Sequence, residues 1–360
     1  MSLLEVGAVI GERYTIDAFI GEGGMQEVYR ANDGSLGRVV ALKAPKNNSA
    51  RKRFQRSASL SAKVTHPNVA KTFDYIEGPN QQFLIEEYIP GEDLSRRLDQ
   101  YFFNLDPHLA AHVFHHLAKG LAAVHREGVI HRDLKPSNIM VSADCDLSVL
   151  KITDFGIAKM AAAEIEEGMK DGTLASQTVV GAVPYMAPEV VRNRDDVGTS
   201  ADIWSTGAIL FHLLVGERPF GDGLAAVDRI LSGAPPAKPP VLLSASGQMK
   251  QLSDELWQLI LSCLRADPSA RPNADALVVA CDSLCYSRAP RAIGKIQTYK
   301  PKNGNWGFID SDSYKDNTFF HLDSYWRADG SAPVEGQRVC FARFQGTPNP
   351  RARPVLRLRG

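Results

Sequence analysis

The chain lacks the devices that mark secreted, membrane-spanning or disordered proteins. Its five cysteines (Cys145, Cys263, Cys281, Cys285 and Cys340) are odd in number and have no C-x-x-C spacing. That argues for reduced thiols in a cytoplasmic setting and implies no metal framework. No apolar run reaches the roughly 18 residues of a membrane span. The most apolar stretch, Ile203 to Val215, carries His212, Ser205 and Thr206 and reads as a buried helix, so no membrane partner is expected. The opening MSLLEVGAVIGERY has neither a charged n-region nor a small-residue cleavage site, which points to a soluble protein. Internal repeats and low-complexity segments are missing too, and an apolar content of 44% excludes wholesale disorder. One absence is local: between Asp33 and Asp74 there is no Asp or Glu at all.

An excess of charge of one sign is also missing overall, with 41 basic and 41 acidic residues. The balance is uneven along the chain, however. From Arg291 onward basic residues outnumber acidic ones two to one, giving that segment about +6 and the remainder about −6. Strand-like alternation runs from Tyr14 to Tyr88 and helical periodicity from Leu94 to Ser287, with a hinge expected at Glu87 to Gly91 and a proline-rich surface loop at Gly233 to Pro240. The expected organisation is a first domain over 1–288, divided into lobes 1–88 and 89–288, and a second over 291–360.

Three strings in fixed order carry the chemistry: HRDLKPSN at His131 to Asn138, DFG at Asp154 to Gly156 and APE at Ala187 to Glu189. With VVALK ending at Lys43, they resemble the eukaryotic-type serine/threonine protein kinase family over roughly the first 285 residues. The resemblance implies an α+β bilobal kinase fold that uses ATP and Mg²⁺ to phosphorylate a protein with a Ser/Thr acceptor. Phosphoryl transfer needs position and charge more than covalent chemistry, and each part has a matching residue. Gly21, Glu22 and Gly23 match the glycine-rich phosphate cover, and Lys43 the lysine that contacts the α- and β-phosphates. Asp133 matches the acceptor of the substrate hydroxyl proton, and Lys135 the cation that offsets γ-phosphate charge, a residue that also marks the Ser/Thr subclass. Asn138 and Asp154 match the metal ligands. Adenine would lie between Val28 and Ala41 above and Met140 below, with backbone groups of Glu87 and Ile89 at its edge. Arg132 would receive an activation-loop phosphate, for which Thr173, Ser176 and Thr178 are the candidates. Asp202 and the pair Glu189 with Arg271 fit structural roles.

The chain departs from this pattern in three places. Gln26 stands where the third loop glycine belongs, and Ala182 where a threonine bridges the catalytic Asp and Lys. The small-lobe helix glutamate that normally holds the strand lysine falls at Ser57, and the acid-free stretch around it permits no register shift. A buried lysine without a counter-ion is costly. Glu86, at the position usually occupied by an apolar residue or Thr behind the adenine, is expected to supply the missing carboxylate to Lys43; the other reading points it at the basic run Arg51 to Arg56. The alternative reading is a pseudokinase scaffold. His108, His112, His115 and His116 share a helix, and His112 with His116 has metal-gripping spacing, but the apolar stripe Val113, Leu117, Leu121, Val124 suggests that they face solvent.

Beyond Arg291, the strings GKIQTY (294–299), GNWGFI (304–309), TFFHL (318–322) and EGQRVCF (335–341) resemble the cold-shock domain, a small all-β five-stranded OB-type barrel. That implies single-stranded RNA or DNA as a partner, stacked on Trp306, Phe308, Phe319 and His321 with Tyr299 nearby, and phosphates met by Lys295, Lys300 and Lys302. Thr298, Leu322 and Asn305 depart from the resemblance. The short connection to the last kinase helix predicts a barrel resting on the large lobe.

Overall fold

The computed structural model describes residues 3–23, 26–46, 54–55, 58–78, 81–155, 181–192, 197–239, 242, 248–327 and 330–359. Ser57, Gly156 and the phosphorylation candidates Thr173, Ser176 and Thr178 lie outside them. The period-two pattern of the first segment folds as a six-stranded antiparallel sheet: β1 (Val9–Ile10), β2 (Tyr14–Glu22), β3 (Gln26–Asp33), β4 (Arg38–Pro45), β5 (Thr72–Glu77) and β6 (Gln82–Glu87), in the order β1-β2-β3-β4-β6-β5. Alternation sends Tyr14, Ile16, Tyr29, Ala31, Val40, Leu42 and Ile85 into one apolar layer. The opposite parity turns Val28, Ala41, Lys43 and Glu86 toward the cleft.

The chain leaves this sheet through a strand of three residues, β7 (Gly91–Asp93), which pairs with β8 (Ile139–Ser142), itself paired with β9 (Leu150–Ile152). The large lobe is thus not purely helical, as its periodicity suggested. A small sheet interrupts it where the catalytic strings lie. Helices α1 (Leu94–Gln100), α2 (Pro107–Arg126), α3 (Pro188–Val191), α4 (Ser200–Val215), α5 (Ala226–Ser232), α6 (Gln248–Cys263) and α7 (Ala274–Asp282) build the rest. α4 is the expected buried helix, with Trp204 fully enclosed. At Gly207 it approaches α6 so closely that a Cβ would lie 2.5 Å from that of Cys263.

The last segment forms β10 (Arg291–Lys300), β11 (Trp306–Ser311), β12 (Thr318–His321), β13 (Tyr325–Trp326), β14 (Arg338–Phe344) and β15 (Arg351–Arg357). Strands β12-β11-β10-β14-β15 follow one another, and β12 also pairs with β15, closing a five-stranded barrel to which the short β13 is attached. Ile296, Ile309, Phe320, Val339, Phe341 and Val355 fill it.

The barrel is fastened to the large lobe. Asp106 caps α2 by accepting from the backbone N–H groups of His108 and Leu109, and the same carboxylate receives both Nη atoms of Arg291 at 2.6 and 3.0 Å. Burial alone would raise the Asp106 carboxyl, but the guanidinium holds it below its ordinary range. Trp326 and Leu356 pack into the large-lobe core, and Arg359 Nε donates to the carbonyls of Phe102 and Leu98. The four histidines of α2 do not face solvent as expected. His115 bonds the Tyr286 hydroxyl, His108 accepts from the Ser287 N–H, and His116 lies 3.0 Å from the Asn68 amide. The segment after α7 runs back across that helix face and covers it.

Candidate active site

Every residue that the kinase resemblance assigns to nucleotide, metal or acceptor chemistry within the described residues lines one cleft of about 790 Å³ between the six-stranded sheet and the large lobe. Gly21, Glu22 and Gly23 form its roof at the β2–β3 turn. A Cβ at Gly21 or Gly23 would meet nothing within 4 Å, so the backbone there is open to a ligand. The Glu22 carboxylate pairs with Lys46 at 2.5 Å on the outside of the roof. Val28, Ala41, Ile89 and Met140 give the cleft apolar walls, and the Glu87 backbone N–H is already bonded to the Lys71 carbonyl.

The polar centre is built on sheet register. Ala41 of β4 faces Glu86 of β6, so Lys43, two residues along the same face, is a diagonal neighbour of Glu86. Such neighbours lie within reach of long side chains. Lys43 Nζ sits 2.6 Å from Glu86 Oε2 and 2.9 Å from Asp154 Oδ1. Lys43 is 6% and Glu86 4% exposed, so the pair is desolvated and each charge depends on the other. Burial would lower the Lys43 ammonium, but the carboxylates of Asp154 and Glu86 raise it above its ordinary value. Burial pushes Glu86 above the usual carboxylate range despite Lys43. Burial would likewise raise Asp154, yet Lys43 and a hydrogen bond from Gln26 bring it below that range.

Gln26 makes a contact in the cleft that sequence reasoning treated only as a missing glycine. Its Nε2 donates to Asp154 Oδ1 at 2.8 Å, tying the roof to the floor of the cleft. The hint in the sequence is an amide in place of glycine in the glycine-rich string.

On the large-lobe side, Asp202 shapes the catalytic loop from beneath. It is fully buried and accepts from the backbone N–H groups of His131 and Arg132, each at 2.8 Å, with His125 Nε2 2.9 Å away. Arg132 and Asp154 both hold left-handed backbone, at φ 66 and 60. Asp133 Oδ2 is engaged by Lys135 Nζ at 2.9 Å and by Asn138 Nδ2 at 3.1 Å, while Asn138 Nδ2 also donates to the Asp133 carbonyl at 2.7 Å. Among the described residues Oδ1 of Asp133 has no hydrogen-bond donor. Lys135 thus pairs with Asp133 without the hydroxyl that Ala182 lacks. Glu189 and Arg271 form a buried two-point ion pair under α3, away from the cleft. Arg96, Tyr185 and Arg218 line the cleft as well, and none of them stands out in the sequence.

The aromatic positions of the barrel separate into two sets. On its outer face Trp306 opposes His321 and Phe308 opposes Phe319 across β11 and β12. The Trp306 and Phe319 rings stack with centroids 6.1 Å apart, and Phe308 meets them edge-on at 5.7 and 5.9 Å. All three rings are half-buried. Tyr299 does not join them. A register shift between Ile296 and Thr298 changes the phase of β10, and the Tyr299 ring stacks on inward-facing Phe320. Lys295 and Lys300 are exposed on β10, and Lys302 follows in the adjoining turn.

Residues 14–280 match the family model described as protein kinase domain, and the chain belongs to that family. It is similar to a protein named serine/threonine-protein kinases PknA from Corynebacterium glutamicum, 32% identical over 297 residues that make up 78% of this chain and 58% of the relative. It is also similar to a probable serine/threonine-protein kinase PknB from Lactococcus lactis subsp. lactis, 34% identical over 232 residues, 62% of this chain and 35% of that protein. A third relative is serine/threonine-protein kinase pkn3 from Myxococcus xanthus, 33% identical over 278 residues, 74% of this chain and 49% of the relative. The chain therefore spans between about a third and three-fifths of these relatives. Among the described residues, no helix is long and apolar enough to cross a membrane.

Proposed function

We propose that the chain is an ATP-dependent protein kinase that phosphorylates Ser or Thr hydroxyls. The observation that carries this reading is the buried Lys43 ammonium, held 2.6 Å from Glu86 and 2.9 Å from Asp154 in the cleft that also contains Asp133 and Lys135. An ammonium fixed by two carboxylates beneath a glycine roof is placed to hold nucleotide phosphates. Asp133, with Oδ2 occupied and Oδ1 open, takes the proton of the acceptor hydroxyl. Lys135 offsets charge on the transferred group. Asn138 and Asp154 fit a hard divalent cation such as Mg²⁺. The Asn138 amide nitrogen is committed to Asp133, which leaves its Oδ1, and Lys43 helps to keep Asp154 ionised. When bound, such an ion supplies neutralisation of phosphate charge. Gly21, Gly23, Val28, Ala41 and Met140 enclose the nucleotide, with the Glu87 and Ile89 backbone at the adenine edge. Incubation with labelled ATP, Mg²⁺ and a generic Ser/Thr substrate tests this reading, wild type beside Asp154→Ala. Label that depends on Asp154 is the expected result, and equal or absent label in both would favour the scaffold reading.

For the barrel we propose a cold-shock-type module for single-stranded RNA or DNA. What supports this is the half-buried set Trp306, Phe308 and Phe319, joined by His321 and flanked by Lys295, Lys300 and Lys302, since stacked rings beside cations suit bases and phosphates. Binding of a labelled oligonucleotide, lost in Trp306→Ala with Phe319→Ala, is its test.

A further inference from the structure

The junction of large lobe and barrel holds two thiols that phosphoryl transfer does not use. Cys145 lies in the connection between β8 and β9, and Cys340 in β14, 195 positions away. They meet across the junction. Cys340 Sγ lies 3.9 Å from the Cys145 carbonyl oxygen, and Cys145 Sγ lies 3.6 Å from the Arg291 carbonyl oxygen. Their surroundings differ. Cys145 is partly exposed and Cys340 is buried. The Arg291 guanidinium is fixed by Asp106, and its charge acts on both thiols.

A thiol attacks oxidants as its thiolate, so access and local charge decide which of two neighbours reacts first. The neighbouring Cys340 thiol, with the charge of Arg291, holds the Cys145 thiol below its ordinary value despite burial. The same contact and burial push Cys340 well above. A partly exposed thiol backed by a second, buried one is the arrangement of a reacting and a resolving cysteine.

We propose that Cys145 and Cys340 are an oxidisable pair, in which Cys145 reacts with a peroxide and Cys340 resolves the product as a disulfide joining the kinase lobe to the barrel. The Cys145 thiolate attacks one peroxide oxygen, the O–O bond breaks, and the other oxygen takes up a proton and leaves as water. Cys145 is then a sulfenic acid. The Cys340 sulfur attacks the Cys145 sulfur, the S–O bond breaks, and a second water leaves with the proton of Cys340. Two thiols lose two electrons and two protons, and hydrogen peroxide is reduced to two waters. The product closes a covalent loop from Cys145 through β9 and the later helices of the large lobe to β14, so the barrel can no longer leave its seat.

The test uses the full-length protein, reduced, treated with hydrogen peroxide, alkylated and mapped by mass spectrometry without reductant. The expected result is a mass lower by two hydrogens and a Cys145–Cys340 linked peptide that outweighs any link to exposed Cys285. Cys145→Ser removes the link, and Cys340→Ser leaves Cys145 as a sulfenic acid trapped by a dimedone-type probe. The oxidised wild type also melts at higher temperature than the reduced one, a shift absent in Cys145→Ser. Added oxygen without a link, a link dominated by Cys285, or no reaction overturns the proposal. The wild-type map and Cys145→Ser suffice should Cys340→Ser fail to fold.

Discussion

The cleft and the barrel face handle polar and apolar groups in opposite ways. In the cleft Lys43, Glu86, Lys135 and Asn138 are all buried, and each has a named partner within 3.1 Å. On the barrel Trp306, Phe308 and Phe319 stay half-exposed although the barrel has a filled core of its own. Buried charge persists only when paired, and large rings left outside a completed core contribute little to folding. The cleft thus spends stability on a fixed electrostatic arrangement, and the barrel leaves apolar surface open. Changes in the cleft should reduce turnover with little effect on oligonucleotide binding, and changes on the rings should do the reverse.

The largest expected effect is at the acceptor side. Asp133→Asn should lower kcat by about 10²–10⁴-fold, the usual worth of a positioned general base, with the oligonucleotide Kd unchanged. Steady-state kinetics and fluorescence anisotropy on one preparation check both halves.

The junction between the two regions comes next. Arg291→Ala leaves Asp106 charged and buried at the start of α2, and breaking a buried pair from one side costs about 3–5 kcal/mol. Chemical denaturation should show that loss, together with faster proteolysis near residues 287–290. Because Arg291 lowers the Asp106 carboxyl, this stabilisation is present above the unfolded carboxylate pKa and is lost as pH falls through the depressed folded value.

A smaller effect is expected on the barrel. Trp306→Ala should weaken oligonucleotide binding by about 1–3 kcal/mol, the range for one lost stack, and binding should weaken as salt rises. Tyr299→Ala should act mainly on stability, since that ring packs on Phe320.

The mildest test is pH. Burial raises Glu86 whereas Lys43 and Gln26 hold Asp154 low, so on acidification Glu86 takes up its proton first and releases Lys43. The acid limb of kcat/KM should therefore begin above the ordinary glutamate range and disappear in Glu86→Gln.

Much of the cleft was legible because its chemistry tolerates few residue types. Lys43, Asp133, Asn138 and Asp154 stand in short strings of fixed order, and the acid-free stretch from Asp33 to Asp74 directed attention to Glu86. What was not legible depends on how segments return upon one another. Gln26 reaches Asp154 across 128 positions of sequence, from one lobe to the other. Tyr299 leaves the face of Trp306 and Phe319 because of a bulge that periodicity does not announce. The histidines of α2 are covered by a segment some 170 residues later, at Tyr286. Trp326 and Leu356 belong by sequence to the barrel but pack into the large-lobe core.

The account depends most on Glu86 replacing a helix glutamate as the partner of Lys43. A double-mutant cycle in kcat/KM over wild type, Glu86→Gln, Lys43→Ala and the double variant tests this directly. We predict single losses of similar size and a double variant little worse than either one, because both changes remove the same interaction. Additive losses, or a Glu86→Gln enzyme with wild-type kcat/KM, would contradict it.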